Sequence, residues 1–548
     1  MFNQPKRPAI LIAGALAGAI NCRATGAAAP VADHHEFDAV LEAPFHPGAD
    51  DAAPVIKLHF SEPGARARRV AWRLALLAPD GRRLRLWRGS GRLRGGALDV
   101  RLPWSIRPAA AAPAGVYQLQ LEADTRSRQP LRQRWDIAIG QPPALAMPAF
   151  AMLPTAHAPR TVSPAPDALP YTVYYGNLHS QTSHSDGGGA LNDCHGAQAP
   201  QSAPFGPADA YDYARRHGLD FLMTSEHNHM YDGSEGSAPD ADPARAKALY
   251  RQGLASAADY SAAHPGFLAI YGMEWGVISN GGHLNILNSP ELLGWERNAG
   301  GDLLADTFTA KGDYDALYKL MRQRGWLGQF NHPKSNQFRA GGRGLGYSAD
   351  GDAAMALCEV MNSSAFSVNA TETEGQRSNY EEVCRQALEA GYHVAFSSNQ
   401  DNHCANWGAA YSNRTAVLIP DGDALSAVSL LDAVRARRVF ATMDRQAQLV
   451  MTANGHLMGE RFSNTGALTL EVHYAHAAGR SVAALAIIAG TPGRKNSASA
   501  LPGAGASTTL TPAPGEHFYY ARLTQDDGKI LWSAPVWVTQ LPLTTAQR

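Results

Sequence analysis

The chain has 548 residues, with 48 basic against 49 acidic side chains and a formal net charge of -1. That balance excludes whole-chain attraction to nucleic acid or to an acidic membrane surface. Hydrophobic content of 45% and charged content of 18% exclude general disorder, and the length exceeds the roughly 100–200 residues of one ordinary domain.

Residues 1–29 read as an export signal. Lys6 and Arg7 make a basic start, Ala9 to Ile20 an apolar segment, and Ala27-Ala28-Ala29 a small-residue cleavage region. The apolar run is shorter than the about 20 residues of a membrane span, and no other segment reads as one. Cys22 raises the idea of a lipoprotein, but Ile20 and Asn21 are poor lipobox residues. The expected location is therefore periplasmic or secreted. Removing Cys22 with the signal leaves Cys194, Cys358, Cys384 and Cys404. Four cysteines allow three pairings, and sequence alone does not choose among these and free buried thiols. If Cys404, beside His403, and Cys194, just past Asp186, flank one metal site, a bridge between them is natural.

Residues 34–141 alternate as an all-β sandwich. Val55-Ile-Lys-Leu-His-Phe60, Val70 to Leu76 and Val116 to Leu121 place apolar side chains at every second position. Pro79-Asp80-Gly81 is a hairpin signal. No cluster of ligand-type residues stands out here. Residues 142–170 carry repeated Pro and Ala without periodicity, as a linker does. Residues 171–445 alternate strand-like and helix-like stretches. The strand-like runs are Tyr171 to Tyr175, Phe221 to Met223, Phe267 to Tyr271, Leu284 to Leu287, Trp326 to Phe330, Leu357 to Met361, Val394 to Phe396 and Thr415 to Pro420. Helices are expected over Pro207 to His217, Ala244 to Ala263, Tyr314 to Arg324, Ser378 to Ala390 and Leu425 to Arg438. Such βα alternation predicts a parallel sheet closed into a barrel. From 446 to 541 the texture is again β, and a second sandwich is expected.

Ligand-type side chains recur where these strands end. His179 follows the first, with Asp186 in Ser185-Asp186-Gly187. His227 closes Thr224-Ser225-Glu226-His227, and Glu274 ends Tyr271-Gly272-Met273-Glu274. His283 begins His-Leu-Asn-Ile-Leu. His332 follows Phe330-Asn331, and Asp401 and His403 follow Ser397-Ser398-Asn399-Gln400. Buried charges without partners are costly, so an ordered set of imidazoles and carboxylates at successive strand ends points to a metal site. Mixed nitrogen and oxygen donors favour Zn, Mn or Fe over Ca or Mg.

These motifs resemble the PHP (polymerase and histidinol phosphatase) superfamily, and within it the exported CehA/McbA-like branch of metallohydrolases, over residues 171–445. The family's Asp-x-His-x-His strand is matched by Asn177-Leu-His179-Ser-Gln181, its Thr-Asp-His step by Ser225-Glu226-His227, and its Gly-x-Glu by Gly272-Met-Glu274. Asn331-His332-Pro333 and Asp401-Asn402-His403 match two further motifs. The resemblance implies an α/β fold, a distorted (β/α)7 TIM-like barrel flanked by N-terminal and C-terminal all-β, immunoglobulin-like sandwiches. It implies two or three divalent ions. One would be held by His179, Gln181, Glu274 and Asp401, a second by Glu274, His283 and His332, and a third by Asp186, His227 and His403. The departure is Gln181, where the family has a second His; an amide oxygen is the weaker ligand.

A metal-bridged hydroxide would then act on a small molecule, first of all on phosphoester bonds. Alternatives are hydrolysis of a carbamate, amide or carboxyl ester, and an exported binding protein without catalysis. Glu226, as proton relay, and Lys334 are the expected catalytic side chains. Arg339, Arg343 and Arg414 are expected to bind an anionic substrate group.

Overall fold

The computed structural model describes residues 37–542 except 48–54, 63–67, 105–111, 126–129, 157–168, 195, 374 and 376. The export signal expected over 1–29 lies outside the described residues. Among the described residues, no helix is long and apolar enough to cross a membrane.

The N-terminal part is two small antiparallel sheets. One orders Asp38–Glu42, Val55–Ser61 and Ala97–Pro103; the other orders Arg83–Arg92, Arg69–Leu77, Gly115–Asp124 and Leu131–Ile139. Alternation decides which face is inside. Ile56, Leu58 and Phe60 from the first sheet meet Val70, Leu74, Leu119 and Leu121 from the second in one core. The stretch after Ile139 is docked rather than loose: Leu153 donates its N–H to Gln448 Oε1 at 2.8 Å and accepts from Gln448 Nε2 at 3.0 Å.

The central part departs from the expected barrel. Tyr171–Asn177, Phe221–His227 and Leu268–Val277 lie side by side in parallel. Gly282–Ile286 then returns antiparallel beside Leu268–Val277, and pairs antiparallel with Gly328–Phe330. Met355–Ser363 and Ala395–Ser398 continue in parallel. On the other flank Arg414–Pro420 runs antiparallel to Tyr171–Asn177 and leads through Val439–Thr442 into the C-terminal strands. The result is one mixed sheet of 16 strands. No ladder joins Ala395–Ser398 back to Tyr171–Asn177 among the described residues; two isolated bridges, Ser180 to Asn402 and Gly189 to Cys404, join the segments that follow them. The distorted (β/α)7 TIM-like barrel is thus corrected to an open mixed sheet that merges with β-sandwich sheets. The physical reason is the hairpin at 277–282, where the chain turns back without a crossover helix.

The helices are set by ordinary signals. Asp242 caps Pro243–Ala263 by accepting from Ala244 N–H. Asp313 caps Tyr314–Arg324, which ends at Gly325 with φ of 69°. Gly253 lets its helix lie on the sheet, since a Cβ there would stand 2.0 Å from the Tyr271 ring. The C-terminal part packs a four-stranded sheet, built on Ala447–Ala453 and Leu468–His476, against strands of the large sheet including Gly515–Gln525.

One buried ion cluster ties three regions together. Arg522 of Gly515–Gln525 grips Asp136 of Leu131–Ile139 at 2.7 and 3.1 Å, and reaches Glu381, at the start of Glu381–Ala390, at 2.9 Å. Burial alone would strip the Arg522 charge, but the two carboxylates more than reverse this and hold it protonated. Two disulfides add covalent ties, Cys194–Cys404 and Cys358–Cys384. Removing one partner of a buried cluster strands the others. Arg522→Met should lower unfolding free energy by about 3–5 kcal/mol in denaturant titration, and a loss indistinguishable from zero would refute the tie.

Candidate metal centre

Strand register delivers the central side chains. In the parallel pair, Glu274 stands opposite His227; in the antiparallel pair, Glu274 stands opposite Asn285 and Gly276 opposite His283. Directly paired residues share a sheet face, so Glu274, His227 and Asn285 point the same way. His179 and His332 each follow a strand end by two residues, and Asp401 and His403 follow Ala395–Ser398. Gly187 lets the Ser185-Asp186-Gly187 turn close on Gln181, because a Cβ there would lie 2.5 Å from the Gln181 carbonyl carbon.

Glu274 sits at the centre, with 0% of its surface exposed. His283 Nδ1 lies 3.0 Å from Oε1 and His332 Nε2 3.4 Å; His179 Nε2 lies 3.1 Å from Oε2 and His227 Nδ1 3.6 Å. Asp401 lies 3.1 Å from His179 Nε2 and 3.9 Å from His332 Nε2. Asp186 Oδ1 lies 3.6 Å from His227 Nε2 and 3.5 Å from His403 Nε2. Burial pushes the carboxylates up, but the imidazoles overturn this: Glu274 is held well below its ordinary range and Asp401 at about 2. Burial pulls the imidazoles down, yet Asp401 and Glu274 raise His179 well above its ordinary value, and Asp186 lifts His403 to about 9. Glu274 and Asp401 are therefore anions beside ring nitrogens.

Three groups of side chains bring one donor atom each to within 4.8 Å of one another: His179, Glu274 and His332; His227, Glu274 and His283; and Asp186, His227 and His403. The third is the grouping expected from the motifs. The other two differ, because His332 joins His179 while His283 joins His227. The donor set fits divalent ions of the Zn, Mn or Fe type, since it mixes imidazole nitrogen with carboxylate oxygen. Backbone strain accompanies it: His332 and Asp401 hold φ of 26° and 51°. Such conformations cost on the order of 1–3 kcal/mol and cluster at working sites.

Several expected roles change. Gln181 donates its Nε2 to Glu274 Oε2 at 2.6 Å, while its Oε1 accepts from Ser185 Oγ at 3.2 Å. It braces the central carboxylate rather than offering an oxygen to an ion. Glu226 is fully buried and accepts from Thr182 N–H, Thr182 Oγ1 and Ser185 Oγ at 3.0, 2.6 and 2.6 Å. Burial lifts it to about 7, against the pull of those bonds. It fixes the turn carrying Asp186 and is a positioning residue. Lys334 lines the cleft over His332 and Asp401, but its Nζ donates to the Phe37 carbonyl at 2.9 Å. Arg339 and Arg343 are exposed and do not line that cleft. Arg414 is buried, donating to Tyr411, Asn413 and Gly408 carbonyls and to Glu372. It pins a loop and cannot meet substrate.

Two groups went unselected by sequence. Glu359 is buried in Met355–Ser363, 3.1 Å from His179 Nδ1, and accepts the His332 N–H at 2.7 Å. It orients both ligands, as carboxylates behind metal-bound imidazoles do. Asn331 donates to Glu274 Oε1 and to Asn285 Oδ1, each at 2.8 Å. A charged residue inside the apolar run Leu357 to Met361 was the available signal for Glu359.

No protein-family model matches the chain, and no curated protein matches it. Solved structures that match include Bacteroides uniformis β-glucuronidase 2, at 10% identity over 92% of this chain and 61% of that chain, with a TM-score of 0.15. Parabacteroides merdae β-glucuronidase matches at 9% identity over 93% of this chain and 65% of that one, TM-score 0.15. A glycosyl hydrolase family 2 member from Bacteroides cellulosilyticus matches at 8% over 90% and 77%, TM-score 0.15. The chain spans about three fifths of the length of the β-glucuronidases it is matched to. Overlaps this weak carry no argument about activity. The expected place in the PHP superfamily is corrected: no family model matches the chain, and the mixed sheet departs from the (β/α)7 barrel that the resemblance implies. The activities drawn from it, on phosphoesters, carbamates, amides or carboxyl esters, and the binding protein without catalysis, fall with it. Short motifs such as Asn-His-Pro constrain a donor and its neighbours, and an open sheet assembles the same donors.

Glu274 belongs to two of the three groups, so its replacement should disturb both. Glu274→Gln should weaken binding of Zn or Mn at least tenfold in titration against a chromogenic chelator, with the melting curve still cooperative. Unaltered metal uptake would remove Glu274 from the centre.

Proposed function

We propose that the chain is a hydrolase that depends on divalent metal ions held at this buried centre. The observation that supports it is the sharing of Glu274 and His227 between neighbouring donor groups, which brings the binding positions together as multi-metal hydrolytic sites require. Bound ions would supply a water acidic enough to attack near neutral pH and would polarise the bond under attack. His332 and Asp401 lie on the open side, where they line the cleft, and His179 is buried beside them. Asp186, His227 and His403 lie deeper, where Glu226 holds the turn and Phe366 packs 4.9 Å from the His403 ring. Glu359 and Asn331 keep His179, His332 and Glu274 aimed while substrate enters.

We further infer export to an oxidising compartment, supported by the two disulfides and by the basic-then-apolar start of the chain.

Elemental analysis of the purified chain should find up to three Zn, Mn or Fe ions, one per donor group. Dialysis against a chelator should abolish turnover across a chromogenic hydrolase panel that includes glycosides, and adding metal back should restore it. Turnover persisting with no metal on the chain would defeat the proposal.

A further inference from the structure

The cleft over His332 and Asp401 encloses about 320 Å3, and its far wall comes from the N-terminal sheet. There Asp38–Glu42 pairs antiparallel with Val55–Ser61, with Asp38 opposite Ser61 and Val40 opposite His59. Paired residues share a face, as do residues two apart along a strand. Asp38, Val40, His59 and Ser61 therefore form one surface, and all four line the cleft. Their intervening neighbours Ala39, Leu58 and Phe60 fill the sandwich core. The wall is fastened in place: Lys334, two residues after His332, donates its ammonium to the Phe37 carbonyl at 2.9 Å.

The lining suggests what the wall receives. His59 Nδ1 is held by Asp99 Oδ1 at 2.8 Å, which leaves Nε2 as the ring's other polar atom. Ser61, Ser364, Ser378 and Tyr380, each with a hydroxyl, line the same space. Among the described lining residues the single lysine or arginine is Lys334, already bound to a carbonyl, and Asp38 opposes it with a negative charge. Apart from the ions proposed at the donor groups, the walls offer an anionic substrate little. A neutral molecule carrying several hydroxyls finds acceptors and donors on both walls, in a space at the lower end of small-molecule sites, about 300–1,000 Å3.

We propose that the N-terminal sheet is part of the substrate site, with Asp38, His59 and Ser61 gripping a neutral, polyhydroxylated molecule of sugar size above the donor groups. This rests on the hydrolase reading for its chemistry but not for its binding. The test titrates full-length, metal-loaded protein with methyl glucosides, methyl galactosides and myo-inositol, and with benzoate and inorganic phosphate as anionic controls, by calorimetry. At least one polyol should bind saturably. Asp38→Ala with His59→Ala, and separately Ser61→Ala, should weaken it at least tenfold with metal content and melting temperature unchanged. The proposal is overturned if no polyol binds, if the variants bind as the parent does, or if the variants weaken benzoate and phosphate as much as they weaken the polyol. Metal content, measured on the same samples, decides the hydrolase reading separately: a chain that holds its ions yet ignores polyols loses only the present proposal.

Discussion

A carboxylate with no solvent contact and four imidazoles within 3.6 Å is the constraint around which the central sheet is arranged. An isolated buried anion would neutralise itself, at large cost to folding. Glu274 remains charged because rings arrive from four separate segments. Each ring must therefore be placed by backbone that is itself committed elsewhere. That requirement accounts for the hairpin at 277–282. Turning back at once sets His283 opposite Gly276, two positions from Glu274. A crossover helix would have delivered a parallel strand and moved this ring away. The antiparallel strand that supplies His283 is the same strand that breaks the run of parallel ladders, so the open sheet and the donor set share one cause.

The surrounding polar groups show how such charge density is held still. Asn331 and Gln181 each donate to one oxygen of Glu274, while Glu359 accepts from His179 and from the His332 backbone. The covalent ties fall beside this scaffold. Cys404 is the neighbour of His403, and Cys358 the neighbour of Glu359. Cross-links next to ligands restrict the loops most able to drift, since His403 and Asp401 lie beyond the last parallel strand. The Arg522 cluster acts at longer range, holding the N-terminal sheets against the C-terminal ones so that the cleft keeps two walls.

What the sequence made legible follows from the same physics. Apolar runs marked the strands, and the helix-like stretches between them marked helices such as Tyr314–Arg324. Histidines and carboxylates at strand ends were visible because charge beside apolar runs needs a reason. Strand direction was not legible, because a hydrophobic run reads alike in parallel and antiparallel ladders. Expected roles for cations failed for a related reason. Arg339 and Arg343 lie close to His332 in sequence, but a few residues of loop suffice to turn a side chain away, and Arg414 is consumed by carbonyls of its own loop. Gln181 was noticed as a departure from the motif, yet whether its amide presents oxygen or nitrogen depends on Ser185 and Glu274, which only the fold brings together.

The N-terminal sandwich illustrates the limit most clearly. Its strands were legible from alternation, and alternation hid its contribution to the cleft. In a half-buried strand the outward positions look like ordinary solvated residues, so Asp38, His59 and Ser61 form no cluster in sequence. They become a wall through pairing of two strands separated by an unrelated loop, and through the Lys334 contact that sets this sheet over His332. A site shared between distant segments spreads its residues thinly along the chain. The buried donors announce themselves because burial penalises charge. The exposed groups that choose a substrate carry no such penalty, so their placement emerges only when the sheets are set face to face.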